Sequence, residues 1–325
     1  MMGYDATVFA YGQTASGKTF TLSGSTSQPG LIPLAVSDIF EFIRSHPHRD
    51  FLLRASYLEI YNEQIIDLLI PIKDPKPMIK IRQDPSTKHF FPNPIREEVV
   101  STIEQVEDVL KRGNLARHVS GTDFNQRSSR SHTIFSVVVE SRKTQRFLAG
   151  AGSDGSVRRS KVSLIDLAGS ERATSDGSRR TEGGFINKSL LTLEKVIGAL
   201  SPDTPNLSST PSKPIPQHVP FRDSKLTQIL QPALKGDSKV CVICTINPTL
   251  NYGNGVGNGV GVGNGLEESK STLRFARRVK KVTVQAKVHE ILSERALITR
   301  YRQQVREDIR FWFKNWFFLL MVFWE

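Results

Sequence analysis

Gly12-Gln13-Thr14-Ala15-Ser16-Gly17-Lys18-Thr19 has the spacing G-x-x-x-x-G-K-[ST], which suits phosphate chemistry. Glycines let backbone N–H groups curl around an anion at the start of a helix. Lys18 can reach terminal phosphates, and the Thr19 hydroxyl can ligate Mg²⁺. All eight residues of the loop are therefore assigned to nucleotide binding. A second constellation is Val162-Ser163-Leu164-Ile165-Asp166-Leu167-Ala168-Gly169. A carboxylate at a strand end can hold the magnesium shell through water. A glycine N–H three residues on can meet a γ-phosphate, in a loop that lets go when that phosphate leaves.

These loops need strands and helices to aim them. Ala6–Tyr11 reads as a strand running into the first loop. Apolar residues from Ile32 to Ile43 keep helical spacing. Leu52–Ile60 reads as a strand and Gln64–Leu69 as a short helix. The stretch from Ile70 to Pro94 contains six prolines and a strand-like Met78–Ile81, which suggests a surface excursion. Ser101-Thr102-Ile103-Glu104 has the form of a capping box opening a helix to about Arg117. Thr133–Glu140, Lys161–Asp166 and Val240–Ile246 read as strands. Ile186–Leu200, Ser224–Leu234 and Ser271–Lys281 read as helices. This alternation predicts an α/β fold with helices on both faces of a mostly parallel or mixed sheet. Pro202–Pro216 and the Gly253–Gly265 repeat read as loops.

The chain has 325 residues and a formal charge of +12, from 44 Lys+Arg and 32 Asp+Glu. Its length and apolar content exclude wholesale disorder. Two cysteines cannot build a disulfide framework or a structural zinc site. Cys241 and Cys244 form a C-x-x-C in a predicted strand, where an offset of three puts the thiols on opposite faces. Residues 1–100 carry a net −1 and residues 101–325 the remaining +13, a balance that suits either an acidic partner (nucleic acid, anionic membrane or acidic protein) or simply a solvated lysine-rich surface.

Asn125-Gln126-Arg127-Ser128-Ser129-Arg130-Ser131-His132 resembles switch I of kinesin motor domains, and Asp166-Leu167-Ala168-Gly169-Ser170-Glu171 resembles their switch II. Gly3 through Thr19, Ile186–Leu190, Val219–Leu226 and Ser271–Ala276 match further motifs of that family in order. Together they cover about residues 3–290. The resemblance implies the P-loop NTPase fold and microtubule-stimulated ATP hydrolysis. It implies that Ser129 coordinates Mg²⁺ with Thr19 and Asp166, and that Asn125 and Ser128 contact nucleotide. It also implies that Arg130 pairs with Glu171 when the switches close, which positions the attacking water and relays its proton, and that Gly169 belongs with them to the catalytic set. Lys188, Arg222 and Lys225 would contact tubulin. Arg158, Arg159, Arg179 and Arg180 are expected to be solvated loop charges.

Residues 1–282 thus read as motor domain, 283–310 as neck linker and the start of a neck helix, and 311–325 as an aromatic, apolar tail of uncertain origin. The linker most resembles that of the centromere-associated kinesin subfamily. The family begins well before the phosphate loop, so the expectation is a motor lacking its first strands and its Arg-x-Arg-Pro motif, with Val240–Ile246 a bare sheet edge. Such a chain could bind microtubules, or nothing, without generating force. A guanine-binding switch protein is disfavoured because Asn187-Lys188 is not followed by the Asn-Lys-x-Asp aspartate. A nucleic-acid-dependent ATPase is disfavoured by the Ser-Ser-Arg-Ser-His switch. The tail would span only about 22 Å as a helix, short of a bilayer core, so no membrane partner is expected. The implied partner is tubulin, the location the cytoplasm and its microtubules, and any dimer would form through a stalk outside this chain.

Overall fold

The computed structural model describes residues 3–71, 74–119, 129–144, 157–171, 180–201, 219–247 and 265–291. The helices are α1 (Lys18–Ser23), α2 (Leu31–Arg44), α3 (Ile103–Val119), α4 (Arg180–Leu200), α5 (Lys225–Pro232) and α6 (Gly265–Val279). The strands are β1 (Ala6–Tyr11), β2 (Arg49–Tyr61), β3 (Gln64–Asp67), β4 (Lys80–Gln83), β5 (Phe90–Asn93), β6 (Glu98–Val100), β7 (His132–Lys143), β8 (Val157–Asp166), β9 (Lys239–Cys244) and β10 (His289–Ile291).

The main sheet runs β3-β2-β7-β8-β1-β9, with β6 added to β2 and β10 to β8. It is mixed: β1 lies parallel to β8 and β9, and the other pairings are antiparallel. β2 and β7, and β7 and β8, pair antiparallel, each strand reversing direction against its neighbour. Alternation along the strands feeds two cores. Phe9, Ile134 and Ile165 face α4, α5 and α6 through Leu193, Leu226 and Phe275. Ala10, Phe135 and Leu164 face α1, α2 and α3 through Leu22, Val36 and Val106. Helices therefore cover both faces, as the alternating pattern required.

Three readings of the sequence need correction. Gln64–Asp67 is a strand, not a helix, and folds back on β2. Asn62 and Glu63 both take left-handed backbone, with φ of 51° and 56°, the turn a tight hairpin demands. The α3 cap is shifted by one residue. Thr102 Oγ1 accepts from the Gln105 N–H, and the Gln105 side chain accepts from the Ser101 N–H. Arg158 and Arg159 lie on β8 rather than in a loop, opposite Glu290 and His289.

Among the described residues β9 pairs only with β1, so it closes the strand order with an open edge. Cys241 on it is exposed and Cys244 half-buried, and neither is in a disulfide. The segment after α6 follows the sheet. Gln285 N–H donates to Gly236 O, Lys287 N–H to Asp237 O and His289 N–H to Gly3 O. Lys287 Nζ also lies 2.7 Å from Asp237. The Pro202–Pro216 loop, residues 253–264 of the glycine repeat and residues 292–325 lie outside the described residues.

Candidate functional site

Strand β1 delivers the glycine loop to the carboxyl end of the parallel strands, and α1 leaves from it. Ala15 and Gly17 take left-handed backbone, with φ of 61° and 96°, which curls the loop. A Cβ at Gly12 would collide with the Thr245 carbonyl oxygen, so only glycine fits against the end of β9. Thr245 also braces the loop. Its N–H donates to Tyr11 O, and its hydroxyl lies 2.6 Å from Ser16 Oγ.

Lys18 is buried, and its Nζ donates to Gly12 O and Gln13 O, each at 2.8 Å. Burial pulls its pKa down, opposed by the Glu171 and Asp166 carboxylates. Thr19 Oγ1 donates to Asp166 Oδ2 at 2.6 Å. The other oxygen, Asp166 Oδ1, is buried and has no hydrogen-bond partner among the described residues. Burial, more than any neighbour, pushes the Asp166 carboxyl up.

The second loop docks on the first. Ser170 N–H donates to Gly12 O at 3.0 Å, and Gly169 N–H donates to Ser129 O at 2.9 Å. The Gly169 donor assigned to a γ-phosphate is thus held by switch I, and a phosphate must exchange that bond. Glu171 is bound by Thr14 rather than Arg130. One carboxylate oxygen accepts from Thr14 N–H at 2.8 Å, and the other accepts from the Thr14 hydroxyl. The reason is local: Gly169 lets the chain pass so close that its Cβ would collide with both Glu171 and Thr14. Asn125 and Ser128 lie outside the described residues.

The candidate polymer contacts lie on the α4–α6 side of the sheet. Lys188 is exposed on α4. Arg222, in a 3-10 turn before α5, is exposed, sits 5.7 Å from the centre of the Phe90 ring and reaches Gln83. Lys225 opens α5, where Glu63 accepts from both its N–H and the Ser224 hydroxyl.

Several supporting contacts leave no signal in the sequence. Tyr11 stacks on Phe275 at 3.7 Å and donates its hydroxyl to Glu194 of α4 at 2.8 Å. Burial and the Glu194 charge hold that phenol well above its usual range. His132, buried at 2% exposure, bonds to Ala168 and Ser189. Hydrogen-bond partners 36 to 229 residues apart, and the still more distant Tyr11–Phe275 stack, leave no mark in local spacing.

Burial, with the Lys18 and Arg117 charges, pushes the His132 ring from 6.5 down to about 3. The unfolded chain takes up that proton below 6.5 and the folded chain does not, so stability is full above pH 6.5 and falls as pH drops toward 3. From about pH 7 to about pH 5.5 this one group is expected to cost about 1 kcal/mol, seen as a lower urea midpoint. His132→Asn should remove its share of that slope.

The kinesin motor domain model matches residues 1–282. Kinesin-related protein 11 of Dictyostelium discoideum is 44% identical over 312 residues, 94% of this chain and 42% of that protein. Kinesin-like protein KIN-7N of Arabidopsis thaliana is 43% identical, over 94% of this chain and 34% of that protein. The chain therefore spans less than half the length of these relatives. Among solved structures, a fast kinesin aligns with a TM-score of 0.70 at 35% identity, covering 90% of this chain and 75% of that one. The motor domain of the Saccharomyces cerevisiae kinesin-related protein Kar3 aligns with a TM-score of 0.64 at 34% identity, covering 86% of this chain and 75% of that one. The phosphate loop and the switch II segment docked against it, with this match across most of the chain, place the protein in the kinesin motor domain family.

Proposed function

We propose that this chain hydrolyses ATP, that microtubules stimulate the hydrolysis, and that the segment from Thr283 to about Glu290 moves with the nucleotide cycle. The observation that carries this reading is the Lys18–Thr19–Asp166 constellation, with its one buried, unpartnered carboxylate oxygen. A buried oxygen without a donor is costly in a purely structural role and suits a cation shell. Thr19, Ser129 and, through water, Asp166 would hold Mg²⁺, which when bound offsets charge on the β- and γ-phosphates. Lys18 would bind the terminal phosphates, and the loop amides would orient them. Glu171 would leave Thr14 and pair with Arg130, placing water in line for attack. Hydrolysis of this kind is mostly placement and charge stabilisation.

The exposed cations Lys188 and Arg222, with Lys225 beside them, favour an acidic polymer surface. Cytoplasmic microtubules are the location that goes with this reading. Among the described residues no helix is long and apolar enough to cross a membrane. Gln285 and Lys287 hold the linker to Gly236 and Asp237 in the turn before β9, contacts that it would have to exchange in order to move.

ATP turnover with and without stabilised microtubules tests the proposal. Stimulation of at least about ten-fold, absent with duplex DNA, is the expected result, and equal rates would overturn it. Lys188→Ala, Arg222→Ala and Lys225→Ala should each raise the half-saturating microtubule concentration about two- to three-fold, more at low salt, because exposed charges are worth under about 1 kcal/mol. The alternative, microtubule binding without turnover, is favoured by the open edge of β9, the strand leading to the Thr245 brace. Co-sedimentation with no stimulated turnover would select it.

A further inference from the structure

We propose that His132 is a positioning residue that ties helix α4 to switch II, its ring bridging the Ser189 hydroxyl and the Ala168 amide. The ring stands at the first position of β7, on the last residue of the switch I motif. Its Nδ1 lies 2.9 Å from Ala168 N, and its Nε2 lies 2.8 Å from Ser189 Oγ. A backbone amide can only donate, so Nδ1 is the acceptor and the neutral ring carries its proton on Nε2. Nε2–H then donates to Ser189. One tautomer satisfies both bonds, and burial keeps the ring uncharged at neutral pH.

The two ends of this bridge matter for different reasons. Ala168 lies between Asp166, which accepts from Thr19, and Gly169, which donates to Ser129. Holding the Ala168 amide therefore fixes the loop between the two groups assigned to magnesium and γ-phosphate. Ser189 follows Lys188, an exposed cation on α4. The ring has no room to slide independently: Ser189 and Ala168 are both buried against it. The residue before it, Ser131, is held through its hydroxyl by Arg117 at 3.0 Å. A shift of α4 must stretch the Ser189 bond or carry the ring, and with it the Ala168 amide. Packed interiors respond in such discrete steps rather than by gradual deformation.

A buried histidine that only filled space and satisfied its bonds would affect stability and every rate alike. A coupling histidine affects the response to the polymer specifically. This inference rests on the microtubule-stimulated ATPase reading, so the test measures both. Ser189→Ala removes one oxygen from the far end of the bridge and leaves the ring in place. Basal turnover should stay within about two-fold of wild type, while maximal stimulation by microtubules falls about five-fold, the worth of one neutral hydrogen bond. The half-saturating microtubule concentration should stay unchanged, since Lys188, Arg222 and Lys225 remain.

His132→Asn keeps an acceptor near the Nδ1 position but is too short to reach Ser189, and should reproduce the loss. The double variant should be no worse than His132→Asn alone. Stimulation of Ser189→Ala equal to wild type, an equal fall in basal and stimulated rates, or additive loss in the double variant would each overturn the inference and leave the ATPase reading standing. A wild-type chain that microtubules do not stimulate would overturn both.

Discussion

Lys18→Ala is expected to abolish measurable ATP turnover, a loss of at least about a thousand-fold in kcat/KM, while the folded protein stays nearly as stable as before. The first half follows from where the charge sits. Lys18 Nζ is buried at the mouth of the loop, and a cation held in a water-poor site is worth far more to developing phosphate charge than one in solvent. The second half follows from what Lys18 leaves behind. Gly12 O also accepts from Ser170 N–H, and Gln13 O also accepts from the Ser16 hydroxyl and amide. Neither carbonyl is orphaned by the substitution, and the cost of burying an ammonium disappears with it. Urea unfolding should therefore move by no more than about 1 kcal/mol. Lys18→Arg should not restore activity, because a planar fork cannot replace a point donor among two carbonyls. A collapse of stability alongside activity would show that Lys18 is a structural group first.

Glu171→Ala should retain nucleotide binding and lose about a hundred- to a thousand-fold in hydrolysis, the usual cost of removing one positioned polar group from a reacting site. Its partner, Thr14, lies at the exposed rim of the loop, so water can replace both lost bonds and the fold should not weaken. Fluorescent nucleotide titration against single-turnover hydrolysis separates the two effects. The geometry adds a condition. Glu171 must give up Thr14 before it can pair with Arg130, so Thr14→Ala should ease switch closure and partly raise the basal rate. If Thr14→Ala instead abolished nucleotide binding, Thr14 would be a phosphate-loop donor first and a tether for Glu171 second.

Motif spacing alone makes the phosphate loop legible, whereas Asp166 and Gly169 become legible only through their place in the ordered series of family motifs. The chemistry of those groups depends on neighbours within a few residues, and strands of apolar residues run directly into them. The helices over Ile32–Ile43 and Ile186–Leu200 are legible for the same reason, since a face repeats every three or four residues. Gln64–Asp67 is not, because its two isoleucines fit either period. The left-handed pair Asn62–Glu63 decides for a hairpin over a helix. The α3 cap slips by one because Ser101 and Thr102 are equivalent as hydroxyls, and only the path of the chain chooses Thr102.

By itself, then, the sequence determined the fold class, the phosphate loop and the family: each rests on local spacing or on motifs in fixed order. It could not determine that Glu171 binds Thr14, that Thr245 braces Ser16, or that His132 joins Ala168 to Ser189. Those are contacts between side chains far apart along the chain, brought together by the packing of β1, β7, β8 and β9 beneath α4. Hydrogen bonds demand alignment within a few tenths of an ångström, and only the closed sheet and its two cores supply that. Composition carried the net charge of +12, but the fold alone decided that Lys188, Arg222 and Lys225 lie on the face opposite α1, α2 and α3.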